Sequence, residues 1–192
     1  MPAGVRVHRI DNVSGPSPEL IRAAEASNRA FGDVSRVEEF LRPLERNPGQ
    51  VELWIAETAQ EVICVGRLEV IANSEFARLW GGGTLPRWRG RGIYRALTAA
   101  RAQAAVGRGV RFLHSDCTAF SRSIPERSGL VPITTTTPHV EVEQELRSAL
   151  AGRCGDNAER MPLEYLPPFV YILGDARFRC PFQESSTGTG PQ

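Results

Sequence analysis

Leu85-Pro86-Arg87-Trp88-Arg89-Gly90-Arg91-Gly92-Ile93-Tyr94 joins a β-patterned segment to an alanine-rich helical one through a loop with two glycines. Upstream, Phe76 to Leu85 reads as a strand interrupted by Gly81-Gly82-Gly83; downstream, Gly92 to Val106 reads as a helix. At a helix start the first N–H groups lack partners and the dipole turns its positive end outward. Glycine lets backbone approach an anion with no Cβ in the way. Strand, glycine-rich turn and helix start are together the parts of a pyrophosphate cradle. Two familiar cradles are excluded. The dinucleotide fingerprint needs a third glycine where Arg95 stands, and a Walker loop needs a lysine that the chain does not contain.

Charge by position points the same way. The 192 residues carry 23 basic and 22 acidic side chains, a net +1 that argues for neither nucleic acid nor membrane. All the basic residues are arginine, which removes Schiff-base chemistry on lysine. Yet between Glu75 and Asp116 lie Arg78, Arg87, Arg89, Arg91, Arg95, Arg101, Arg108 and Arg111 with no acid among them. A near-neutral protein with one basic stretch is expected to keep it for an anion.

The rest of the chain reads as one α/β domain with a mostly antiparallel first half. Strands are expected at Val5 to Ile10, Val51 to Glu57, Val62 to Ile71, Val110 to Cys117, Leu130 to Thr137 and Pro167 to Leu173. Helices are expected from Pro18 to Gly32, around Val37 to Leu41 with Pro43 kinking or ending it, near Ser121 to Ser128, and over Val142 to Ala151. The domain spans 1–183, with 138–183 as a C-terminal extension and 184–192 as a loose polar tail. Cys64, Cys117, Cys154 and Cys180 are too scattered for a zinc site or a disulfide framework, so no metal is expected. No apolar run approaches the roughly 18 residues of a membrane helix. The N-terminus carries charge where a signal peptide needs an apolar stretch, so the expected compartment is the cytoplasm.

Arg87-Trp88-Arg89-Gly90-Arg91-Gly92 resembles the (Arg/Gln)-x-x-Gly-x-(Gly/Ala) signature of the GNAT acyltransferase superfamily, which binds acyl-coenzyme A. The resemblance covers about Phe76 to Val131, with Ser128-Gly129-Leu130 where that family usually has Gly-Phe. It implies a GNAT-like α+β fold, a mixed and mostly antiparallel sheet splayed into a V at the acyl-CoA site and flanked by helices. It also implies acetyl-CoA or another acyl-CoA as co-substrate, held by Gly83, Thr84, Leu85, Arg87, Trp88, Arg89, Gly90, Arg91, Gly92, Ile93 and Ser121. The pantetheine arm would lie along the strand that ends at Leu85, where close approach or a bulge would account for the triple glycine.

The reaction so implied is transfer of an acyl group to a small-molecule primary amine by direct attack. It needs a base, an N–H on the oxyanion (that of Leu85 is the expected donor) and an acid for the thiolate. In that family the acid is a tyrosine four residues before the Gly-Phe glycine, and Pro125 stands there. Ser121, Ser123 and Cys117 are the nearby replacements. For the base, the candidates are Asp116, its strand neighbour His114, and Glu69. Each has a plainer role open to it: a helix cap, a core histidine and a solvated strand residue. Tyr94 is assigned to core packing. Asp33, Glu38, Glu39, Glu45, Glu141, Glu143 and Glu145 could line an acceptor mouth suited to a cation, or simply face water. The C-terminal extension could cover that mouth or form a homodimer contact. Two other classes of function stay open, an acyl-CoA-binding sensor without transfer and an RNA-binding module built on Trp88 and its arginines.

Overall fold

The computed structural model describes residues 1–136, apart from 12, 14, 33, 34 and 118, together with 169–175. The elements are β1 (Arg6–Ile10), α1 (Pro18–Phe31), α2 (Val37–Arg46), β2 (Val51–Glu57), β3 (Val62–Val70), β4 (Phe76–Thr84), α3 (Ile93–Gly107), β5 (Phe112–Cys117), α4 (Ala119–Glu126), β6 (Val131–Thr136) and β7 (Phe169–Asp175). They form one seven-stranded sheet in the order β1-β2-β3-β4-β5-β7-β6. All neighbours are antiparallel except β4 and β5. The strand expected at Pro167 to Leu173 is thus β7, inserted between β5 and β6. The helix expected at Val142 to Ala151, Cys154 and Cys180, and the tail from 184 lie outside the described residues.

Local chemistry sets the helix limits. Pro18 occupies the first turn of α1, the Ser17 hydroxyl accepts from the Leu20 N–H at 3.3 Å, and Gly32 ends the helix in the left-handed region at φ 74°. Pro43 does not end α2, one of the two outcomes the sequence suggests; the helix runs on to Arg46. The missing Pro43 N–H leaves the Glu39 carbonyl without its helical donor. Complete burial of Leu44 against the sheet holds the last turn in place, and the Asn47 side chain donates to the Pro43 carbonyl at 3.3 Å.

The helices sandwich the sheet. On one face α1 and α2 bury Leu20, Leu41 and Leu44 against Leu53, Ile55 and Val65. On the other, α3 buries Ala102 and Ala105 against Leu68, Leu79 and Leu113. Each fully buried leucine contributes on the order of 2 kcal/mol. Phe31, the last residue of α1, is 57% exposed. Its ring edge lies over Gly83, where a Cβ would stand 2.9 Å away.

Two features of β4 shape the site. The triple glycine does not interrupt the strand. Arg67 pairs with Trp80 and Val65 with Gly83, so β4 carries one residue more than β3 across this step. That is a β-bulge, with Gly81 at φ 57°. Then β4 and β5 pair only over Phe76 to Arg78 against Phe112 to His114. At the next step the Ser115 hydroxyl donates to the Leu79 carbonyl at 2.7 Å, and beyond it the strands part. The sheet is therefore splayed along the second half of β4.

Candidate active site

The splay opens toward the loop after β4. Pro86–Trp88 form one 3-10 turn, and Gly90 (φ 74°) and Gly92 (φ 77°) are both left-handed, a conformation that L side chains avoid. These two turns aim the start of α3 at the opening. Gly92 provides no side-chain cap. The N–H groups of Gly92, Ile93 and Tyr94 have no acceptor among the described residues, the first intrahelical bond being Ala96 N–H to the Gly92 carbonyl. A Cβ on Gly90 would meet nothing within 4 Å, so the loop is open to a ligand there.

The arginines are used otherwise than their clustering suggests. Arg87 pairs with Glu61, which also accepts from the Trp88 indole at 2.9 Å. Burial pushes the Glu61 carboxyl up, but the hydrogen bonds from Trp88 and Arg87 and the charges of Arg87 and Arg29 hold it below the usual range. Arg89 donates to the carbonyls of Thr84 (3.1 Å) and Ala30 (2.9 Å), tying the loop to β4 and to the end of α1. Arg78, Arg108 and Arg111 pair with Glu69, Glu52 and Glu75, and Arg101 is wholly buried. Arg91 lies over the Trp88 ring at 5.1 Å. Half of the basic window, Arg78, Arg87, Arg108 and Arg111, is thus balanced by acids that a linear reading of charge does not register. Glu61, which pins the loop, was not singled out in the sequence, because its partners are reached only across the β2–β3 turn.

Along the open side, the Leu85 N–H is bonded to the Ile63 carbonyl at 2.9 Å. It faces β3 and is not the donor to the splay that the sequence suggests. Backbone alternation turns the N–H of the preceding residue, Thr84, toward the open side. Its carbonyl, taken by Arg89 instead of β3, points the same way.

Glu69, Arg78 and His114 form one row across β3, β4 and β5, on the face that carries α1 and α2, and Asp116 follows two residues after His114. Asp116 is exposed and accepts from the Thr136 hydroxyl at 3.4 Å; Glu69 is paired with Arg78 at 2.8 Å. Burial, with the Arg78 charge, holds His114 below its ordinary value against the opposite pull of Asp116 and Glu69. The unfolded histidine therefore takes up a proton first, near pH 6.5, and stability falls as the pH drops below that point. Urea unfolding from pH 7.5 to 5.5 should show this loss in the native protein, with a shallower slope in His114→Asn. An equal slope would refute the assignment.

The two serines lie apart from this row. Ser123 accepts from Arg127 at 3.3 Å along α4, and Ser121 bonds the Cys117 thiol, which burial pushes up. Pro125 is buried within α4. On the α3 face, the Tyr94 phenol lies under Gly82, where a Cβ would stand 2.7 Å from its oxygen. Burial raises its pKa, against the opposing charge of Arg101, so the group stays protonated at neutral pH.

No protein-family model matches the chain, and no curated protein matches it at the level of sequence. Its shape does match solved structures. The ribosomal-protein-S18-alanine N-acetyltransferase from Escherichia coli superposes with a TM-score of 0.63 at 12% identity, over 93% of this chain and 97% of that one. A probable acetyltransferase from Staphylococcus epidermidis gives 0.64 at 8% identity, over 89% and 98%. A chimeric spermidine N-acetyltransferase from Vibrio cholerae gives 0.60 at 9%, over 91% and 96%. The chain has the fold of the GNAT acetyltransferases, with the mixed, mostly antiparallel sheet expected from its sequence. No described helix is long and apolar enough to cross a membrane, and no group of three or more described His, Cys, Asp or Glu could hold a metal.

Proposed function

We propose that the protein is an acyl-CoA-dependent N-acyltransferase, most simply one that moves acetyl from acetyl-CoA to a primary amine of a small molecule. The observation that carries this is the splay of β4 from β5 directly beneath a loop whose two left-handed glycines present the open N-terminus of α3. The N–H groups of Gly92 and Ile93 would hold the pyrophosphate, beside the open position at Gly90. The free edge of β4 would pair the pantetheine arm as an added strand. The bound thioester supplies an activated acyl carbon with a thiolate leaving group.

The chain's own groups have distinct tasks. The Thr84 N–H is turned to donate to the acyl oxygen as charge builds on it. Glu69 or Asp116, directly or through water, would take the proton from the substrate ammonium. With proline at position 125, Tyr94 takes over as the acid beside the thiolate, since its phenol reaches the β4 bulge from the α3 face. The compartment this reading suits is the cytoplasm.

Calorimetric titration with acetyl-CoA tests the first half and thiol release with an amine panel the second. One-to-one micromolar binding followed by amine-dependent thiol release is the expected result; no heat with acetyl-CoA would reject the cradle. Pro125 in α4 favours a second reading, binding of acyl-CoA without transfer. Turnover with any amine excludes it.

A further inference from the structure

Two arginines of the core differ in a way their burial does not explain. Arg101 is wholly buried, and each of its three guanidinium nitrogens donates: Nε to the Leu97 carbonyl (3.4 Å), Nη1 to the Arg67 carbonyl (3.0 Å) and Nη2 to the Thr98 hydroxyl (3.1 Å). Arg67 is only 5% exposed, and one of its three nitrogens is used, Nη2 donating to the Phe40 carbonyl at 2.9 Å. Its Nε is sealed without an acceptor, and no carboxylate pairs with it among the described residues. Burial lowers its pKa to about 10, so it remains charged at neutral pH. A buried charge with no counter-ion costs several kcal/mol. A side chain kept at that cost is expected to have an anion that is absent from the free protein.

Its placement says where that anion comes from. The guanidinium carbon stands over the Phe40 ring at 4.2 Å and over the Trp80 ring at 4.7 Å. Nη1, the nitrogen left unused, lies over Gly81 at the bulge, where it stands in the space of a Cβ. That is the point at which β4 leaves register, on the α1–α2 face and opposite Tyr94. Trp80 is also the wall of a cavity of about 300 Å³ between α2 and the sheet, lined further by Glu39, Arg42, Arg46, Glu69 and Arg78. The Trp80 indole N–H and the Arg78 Nε are buried there without acceptors among the described residues. Glu69 is two residues on from Arg67 on the same face, about 7 Å along the strand. On this face Glu69, held by Arg78, and Arg67, which has no carboxylate partner among the described residues, stand at a spacing that a single small zwitterion spans.

We propose that Arg67 anchors a carboxylate of the acceptor, so that the substrate is an amine that also bears an acid group, with its ammonium toward Glu69. With Nη2 given to the Phe40 carbonyl and Nε sealed, Nη1 is the donor left for an anion, and a charge-assisted bond from it suits a carboxylate. This rests on the acyltransferase reading and narrows it from amines in general to amino acids and their relatives.

The test uses matched probes with acetyl-CoA: the standard amino acids, the amines formed by their decarboxylation, and 2-aminoethylphosphonate. Thiol release is followed for the native protein, Arg67→Met and Arg67→Lys, with acetyl-CoA affinity and Tm measured for each. Carboxylate-bearing amines should be the ones turned over. Arg67→Met should raise their KM roughly 10- to 100-fold, change kcat less, and leave acetyl-CoA affinity and Tm undiminished. Arg67→Lys should recover part of the loss. Preference for the decarboxylated amines or the phosphonate would overturn the proposal. So would an unchanged KM in Arg67→Met, or a fall in its Tm with KM intact. If acetyl-CoA fails to bind the native protein, it is the acyltransferase reading that falls. If acetyl-CoA binds but no carboxylate-bearing amine is turned over, or bound by the coenzyme A-loaded protein, the anchor alone falls.

Discussion

Replacing Gly90 with glutamate is expected to weaken acetyl-CoA binding at least about 100-fold, a loss of about 2.8 kcal/mol. The position is left-handed and its Cβ would face open space, so nothing in the fold resists the side chain sterically. Holding an L-residue at this φ costs about 1–2 kcal/mol of stability, but that cost is the same with and without ligand. The effect on binding comes from charge. A carboxylate about 4 Å from one pyrophosphate charge is repelled by about 4 kcal/mol at an effective dielectric constant near 20. Gly90→Asn separates the two terms, because asparagine tolerates the left-handed region and adds no charge; it should bind nearly as well as the native protein. Calorimetry on the three proteins decides the matter. Equal affinities would mean that the pyrophosphate lies elsewhere.

Arg101→Ala should be the most destabilising single change, at about 4 kcal/mol. It removes a large side chain that is fully buried under β3 and leaves a cavity, for which large-to-alanine changes cost roughly 2–5 kcal/mol. It also strips the Arg67 carbonyl of a donor in a buried place. For a chain of this size each kcal/mol is worth roughly 2–4 °C, so Tm should fall by roughly 10 °C. Arg101→Met, which keeps most of the volume, should lose about half as much. Gly66 makes the argument sharper. A Cβ there would stand 2.7 Å from Arg101 Nη1 and 3.2 Å from Leu97, so Gly66→Ala is costly while the arginine is present. In the Arg101→Ala background the same methyl occupies vacated space, and the two changes should combine to less than their sum. A Tm within 2 °C of native for Arg101→Ala would contradict this account.

How much of this was written in the linear chain depends on the range of the interaction. The loop was legible because its information is local: a strand, two glycines and a helix start within ten residues. The start of α1 at Pro18 and its stop at Gly32 were legible for the same reason. Pro43 did not mark the end of α2, because the burial of Leu44 carries the helix past it, a tertiary effect. Leu85 misled because strand alternation fixes which of two neighbouring N–H groups faces the opening, and the bulge at Gly81 shifts that count. The arginine window was half legible. Clustering along the chain implied a common partner, whereas Glu52, Glu61, Glu69 and Glu75 reach those side chains one by one from other strands and turns. Arg67 gave no signal at all, because its meaning lies in what fails to surround it.

The brief pairing of β4 with β5 has a consequence for how the molecule holds together. Within the sheet, three registered pairs and one serine hydroxyl join a four-stranded plate, β1 to β4, to a three-stranded one, β5-β7-β6, with α3 packed across both. Either plate has the number of strands that can be stable with a covered face, so the seam between them is the natural line along which cooperative units divide. A ligand bonded to the free edge of β4 would act there as a splint, and the protein's resistance to partial opening would then follow the supply of its co-substrate.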